Sequence, residues 1–97
     1  MAKYKNLDPI LHSQLRLAVV SILMNVDAAD FTYIKEQTEA TAGNLSVQIS
    51  KLKDAGYIEV EKKFKGNYPQ TRCLITPLGR ERFEAYVNDL KGYISGS

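Results

Sequence analysis

Residues 41–76 read TAGNLSVQISKLKDAGYIEVEKKFKGNYPQTRCLIT, and the period of their apolar positions changes within the stretch. Leu45, Ile49 and Leu52 recur at helical spacing behind Thr41, whose hydroxyl suits a helix N-cap. Gly56 tolerates the left-handed conformation that ends a helix, so a helix of about residues 42–55 is expected. From Tyr57 the pattern becomes an imperfect alternation of Tyr57, Ile58, Val60 and Phe64 with Glu59, Glu61 and Lys63, as in a strand of about 57–64 with one exposed face. The run Lys65-Gly66-Asn67-Tyr68-Pro69-Gln70 is dense in turn residues, and 71–76 reads as the return strand of an antiparallel hairpin.

Working outward, Asp8-Pro9 places a capping side chain before a residue of fixed φ, and Leu11, Leu15, Ala18, Val19, Ile22 and Val26 follow at helical spacing. The spacing predicts a first helix over about 9–26. Leu17, Val20, Leu23 and Met24 widen its apolar stripe beyond one face, so it is either central to the chain or shared with a second subunit. Residues 25–30 read as a polar turn ending in Asp30, which can cap a short helix over 31–39 with Phe31, Ile34 and Thr38 inward. Pro77 opens a last helix to about Tyr93, with Leu78, Phe83, Tyr86, Val87, Leu90 and Tyr93 or Ile94 as apolar positions, and residues 95–97 read as a frayed tail.

Ninety-seven residues make one domain over 1–97, with a single core that a partner chain can help to bury. With 44% hydrophobic and 25% charged residues, the composition is that of a soluble globular protein and contains no run long enough for a membrane span. MAKYKNLDP has basic residues but no apolar stretch behind them, so no secretory signal is expected. A lone Cys73 excludes an internal disulfide or thiolate cluster and points to a reducing, cytoplasmic setting.

The net charge of +2 is unevenly spread. Residues 1–40 sum to −1 and 77–97 to zero, whereas 41–76 sum to +3 through Lys51, Lys53, Lys62, Lys63, Lys65 and Arg72 against Asp54, Glu59 and Glu61. The positive excess therefore coincides with the helix and hairpin, a candidate phosphate-contacting surface.

Helices 31–39 and 42–55 are separated by a few residues, the spacing of a helix-turn-helix. Plotted at 100° per residue, Leu45, Ile49 and Leu52 share one side of the second helix. Gly43, Val47, Ser50, Lys51 and Asp54 lie opposite, with Asn44, Ser46 and Gln48 on the flanks. Such a small, polar surface near a helix start suits entry into the major groove of double-stranded DNA. Gln48 and Asn44 carry amides that can read adenine, Val47 and Ser46 suit a thymine methyl or a phosphate, and Lys51 and Lys53 suit backbone contact. Lys62, Lys63, Lys65 and Arg72 make the hairpin a basic arm beside that helix, and Tyr68 at its tip either packs on a sugar or covers the hairpin, with packing the favoured reading.

Asn44-Leu45-Ser46, Ile49, Leu52, Lys53-Asp54-Ala55-Gly56-Tyr57-Ile58 and then Thr71, Leu74, Thr76, Gly79 and Arg80 together resemble the small winged-helix regulators of the MarR and ArsR type. The resemblance covers about residues 11–90 and lies in the ordered pattern. It implies a mainly α, α+β winged helix-turn-helix, with a three-helix core, a hairpin wing and a C-terminal dimerisation helix. It further implies a homodimeric, DNA-binding transcription regulator of the repressor kind, whose first and last helices pair two copies through Leu11, Leu15, Val19, Phe83, Tyr86 and Leu90. Its DNA-facing positions carry over to Asn44, Ser46, Val47, Gln48, Ser50 and Lys51 on the helix, and to Lys63, Lys65, Asn67 and Arg72 on the wing. Glu59 and Glu61 depart from a purely basic wing and are expected to project away from phosphate.

Cys73 and His12 lie on different elements, so no metal site is expected, and Cys73 reads as a small buried filler. No serine, histidine and acid set and no phosphate-binding glycine loop occurs, so neither an enzyme nor a cofactor is expected. The competing reading is a winged-helix module that binds protein, which would expose large apolar residues on the same helix and wing.

Overall fold

The computed structural model describes residues 4–95. In chain order these form α1 (Gln14–Val26), β1 (Ala28–Asp30), α2 (Phe31–Thr38), α3 (Ala42–Asp54), β2 (Ile58–Lys65), β3 (Tyr68–Ile75) and α4 (Pro77–Ser95). The three strands make one antiparallel sheet in the order β1-β3-β2. Met1–Lys3 and Gly96–Ser97, which include most of the expected frayed tail, lie outside the described residues.

α1 starts five residues later than Pro9. Asp8 Oδ1 accepts from the Ile10 amide at 2.8 Å, and the His12 amide bonds the Asp8 carbonyl at 2.8 Å, closing a single turn. The chain then straightens at Ser13, whose φ of −151° interrupts the helix before Gln14. Asp8 caps that turn rather than a long helix, because its other oxygen accepts from the Tyr57 hydroxyl at 2.5 Å. The wide apolar stripe has a simple destination. Val19, Val20 and Leu23 are fully buried, and Leu15, Leu17, Ile22 and Met24 pack against the core, so α1 is the central helix of this chain.

The segment expected as a polar turn contains β1. Ala28, Ala29 and Asp30 pair with Leu74, Cys73 and Arg72 of β3. Asp27 turns the chain into this strand with a φ of 66° and a ψ of −39°, outside the left-handed helical region. Its carbonyl accepts from the Ile75 amide at 3.0 Å, and its carboxylate holds Arg80 of α4 in an ion pair. Asp30 occupies the N-cap position of α2 but makes no side-chain capping bond.

α3 has the expected ends. Thr41 Oγ1 accepts from the Asn44 amide at 3.2 Å. At the other end Gly56 has a φ of 82°, its amide bonds the Lys53 carbonyl at 2.9 Å, and the Tyr57 amide bonds the Leu52 carbonyl at 3.0 Å. This is the paired Schellman closure that satisfies the last carbonyls of a helix. Leu45, Ile49 and Leu52 join Leu11, Ile34, Ile58, Cys73 and Tyr86 in one core.

The hairpin is longer than expected, because its loop is only Gly66-Asn67 and the strands pair from Lys65↔Tyr68 to Ile58↔Ile75. A two-residue loop makes Lys65↔Tyr68 the hydrogen-bonded pair, so Phe64↔Pro69 is a non-bonded pair and proline deprives β2 of no donor. Gly66 takes a φ of 63° at the first loop position, where such turns favour glycine. Thr76 then ties three elements together, donating to the Gly56 carbonyl at 2.7 Å and accepting from the Gly79 amide at 3.0 Å. A Cβ on Gly79 would lie 2.1 Å from the Tyr57 carbonyl oxygen, so α4 approaches the hairpin root as only glycine allows.

Among the residues expected between two subunits, Leu11 and Val19 have no exposed surface and Tyr86 has 4%. They belong to the core of the chain itself, where the turn before α1, α1 and α4 each contribute one of them. Leu15, Phe83 and Leu90 are half-buried, and α4 carries the more exposed Tyr93 and Ile94 beyond them.

Candidate nucleic-acid interface

With its apolar side sunk in the core, α3 presents a crest of Gly43, Val47, Lys51 and Asp54, all exposed. The flanks differ. On the wing side, Ser46, Ser50 and Lys53 share a cleft of about 370 Å³ with Phe31, Lys62 and Thr71. On the α1 side, Asn44 and Gln48 border a groove of mixed character, in which Leu15, Ala18 and Ile22 alternate with Ser13, Gln14 and Ser21. The polar helix face expected as one surface is therefore two flanks divided by Val47, which stands 52% exposed.

The α1 flank is internally bonded. Arg16 Nη1 donates to Gln48 Oε1 at 2.5 Å, and Gln48 Nε2 donates to Asn44 Oδ1 at 3.1 Å. Arg16 is anchored in turn by donating through Nε to the Ile10 carbonyl at 2.6 Å. Sequence reasoning misses this residue, although a lone cation amid the apolar positions of α1 is its signal.

Strand alternation sorts the wing into two faces. Glu59, Glu61, Lys63 and Lys65 share one face of β2, opposite Leu74, Arg72, Gln70 and Tyr68 of β3. Glu59 and Glu61 consequently do not turn away from the basic residues. Glu61 Oε2 lies 3.7 Å from Lys63 Nζ, an exposed pair of small energetic weight that nonetheless offsets the lysine charge. Arg72 stands in register between Glu61 on β2 and Asp30 on β1, half-buried in the middle of the sheet. The arm is thus less basic than a count of its residues suggests, with Lys62 and Lys65 its least compensated charges. Lys62 and Phe64 lie on the other face, the one continuous with the cleft beside α3.

At the tip, Asn67 is exposed and Tyr68 is 77% exposed, so Tyr68 does not cover the hairpin. A strand end that runs past the core gives its ring nothing to lie on. Phe64 is 76% exposed on the opposite face. Cys73 is fully buried between Ala29 and Val60, and burial, followed by the negative charge of Asp30, pushes its thiol up to about 11. A thiol so placed is an inert filler. Among the described residues no helix is long and apolar enough to cross a membrane.

A two-helix turn presenting α3, flanked by a β-hairpin packed at its side, defines a winged helix-turn-helix, the architecture of proteins that lay one helix into DNA and a wing alongside. The chain belongs to the winged helix DNA-binding domain family, which matches residues 15–94. An uncharacterized protein of Methanocaldococcus jannaschii is 30% identical over 81 residues, covering 84% of this chain and 88% of its own length. A transcriptional regulator homologue from Pyrococcus horikoshii superposes with a TM-score of 0.84 at 30% identity, over 90% of this chain and 86% of that one. YusO from Bacillus subtilis shares the fold with a TM-score of 0.77 at 17% identity, over 86% of this chain and 58% of its own. The fold and the family are those of a winged helix DNA-binding domain, and the Pyrococcus horikoshii structure that shares both is described as a transcriptional regulator homologue.

Proposed function

We propose that this protein is a homodimeric, sequence-specific repressor that occupies an operator with α3 of each copy in the major groove and the wing over the adjacent backbone. The observation that carries the reading is the cleft in which Ser46, Ser50 and Lys53 of α3 meet Lys62 of the wing, since one duplex can engage both elements from that side. Asn44, Val47 and Gln48 supply the remaining base-facing groups and Lys51 a phosphate contact, while Lys63, Lys65 and Arg72 on the wing's other face and Asn67 at its tip meet the backbone around the edge of the wing. Dimerisation is supported by α4, whose Tyr93 and Ile94 stand 42% and 77% exposed next to half-buried Leu90. Paired α4 helices would cover these residues together with Leu15 and Phe83.

Binding to labelled genomic duplexes, followed by footprinting of a captured fragment, tests the reading. Affinity is expected to fall steeply with salt, and Lys62→Ala with Lys65→Ala to lower the salt slope by about 2, one for each phosphate no longer neutralised. The footprint should show two half-sites about one helical turn apart. Binding insensitive to salt would overturn the DNA reading, and a single protected half-site would overturn the dimer.

Exposed Val47, Phe64 and Tyr68 favour a second reading, a module that grips a protein with the same helix and wing. Under that reading the three residues matter and the duplex does not.

A further inference from the structure

Arg16 of α1 reaches the flank of α3. A guanidinium has N–H donors and no acceptor, so Gln48 must turn its oxygen toward Arg16, as it does at 2.5 Å. The Gln48 nitrogen then lies on the other side, where one of its two N–H groups donates to Asn44 Oδ1 at 3.1 Å and the second is left to face outward. Asn44 must in consequence accept with its oxygen and point its own amide nitrogen outward. One donor-only side chain on α1 thereby sets the orientation of two amides on α3. The half-buried guanidinium is held in place by the Ile10 carbonyl at 2.6 Å and the Pro9 carbonyl at 3.4 Å.

This order changes the chemistry of the flank. Bidentate reading of adenine requires a donor and an acceptor from the same amide, for N7 and N6. Here each amide oxygen is engaged inward, by Arg16 for Gln48 and by Gln48 for Asn44. The outward hydrogen-bonding groups are N–H donors. Guanine presents two acceptors, N7 and O6, to the major groove, and is the base such a surface fits.

We propose that Arg16 is a positioning residue that sets base preference, converting Asn44 and Gln48 from adenine readers into a donor pair for guanine. The inference rests on the sequence-specific DNA reading above. It also replaces the adenine assignment drawn from the amide side chains alone.

Selection of bound sites from a randomised duplex pool tests it, with the full chain and two variants compared. The parent protein is expected to enrich guanine at the position facing Asn44 and Gln48, by about tenfold over adenine. Arg16→Met keeps the side-chain stem and removes the donors, so adenine should rise to at least parity there while the other positions keep their preferences. Because Arg16 also holds the turn before α1, Asn44→Asp provides a second arm that leaves this anchor alone. It still accepts from Gln48 but presents an acceptor outward, and should shift enrichment from guanine to cytosine, whose N4 amino group donates. Selected sites with adenine in the parent, or a guanine preference unmoved by both variants, would overturn the proposal. Failure of the parent to retain any duplex would instead overturn the DNA-binding reading beneath it.

Discussion

The root and the tip of the wing belong to the same pair of strands, yet they meet opposite demands. At the root Ile58 and Cys73 are 2% and 0% exposed, β1 adds a third strand, and Thr76 and Gly79 lock α4 against the turn after α3. At the other end of β2 and β3, beside the Gly66-Asn67 loop, Phe64 and Tyr68 stand more than three-quarters exposed. Burial makes root residues interdependent, so a change there is felt by the whole core. The tip contributes almost nothing to that core, and its composition is free to answer to a partner.

The contrast can be broken most forcefully at Gly79. Alanine there drives a Cβ into the Tyr57 carbonyl oxygen, and neither backbone can yield without parting α4 from the hairpin. Gly79→Ala is expected to cost about 3 kcal/mol in urea unfolding. Gly43→Ala, on the open crest of α3 where a Cβ meets nothing within 4 Å, should be neutral or slightly stabilising. Equal effects at the two sites would remove the packing argument.

A smaller effect is expected from Tyr57→Phe. Burial raises the Tyr57 phenol first, and the hydrogen bond and charge of Asp8 raise it further, to about 12 from an ordinary 10.0. The neutral phenol is the form the fold prefers, so its contribution is complete below about pH 10 and is lost as pH rises toward 12. Removing the hydroxyl should cost about 1 kcal/mol at neutral pH and flatten the alkaline fall in melting temperature. An unchanged fall would assign it to other groups.

The smallest stability effect belongs to the tip. Phe64→Ala is expected to change unfolding free energy by less than about 0.5 kcal/mol while weakening the retained duplex or protein partner. Substantial destabilisation would show that the tip is part of the core after all.

How much of this is legible in the sequence follows the range of the interactions. Thr41 and Gly56 bracket α3 through bonds between residues three to five apart, so both ends of the helix are written locally. The hairpin is evident from alternation and turn residues, although Pro69 obscures its length, because only the register shows that its missing N–H is not needed. By contrast β1 is three residues long, too short to establish a period, and exists because β3 offers it an edge. Asp8 looks like the cap of a long helix because its second obligation, to Tyr57, lies far along the chain. The candidate site divides in the same way. Its element is legible, but the engagement of Gln48 by Arg16 and the register that sets Arg72 between Asp30 and Glu61 depend on neighbours brought in by the tertiary fold.

The short strand β1 also bears on the order in which the molecule is made. Ala28 pairs with Leu74, so the sheet joins a segment synthesised early to one synthesised late. Pairings of such long separation must await both partners and slow the search for the native state. During synthesis α1, α2 and α3 emerge before the strand that fixes the wing beside them. A nascent chain therefore carries α3 without its wing until β3 has left the ribosome.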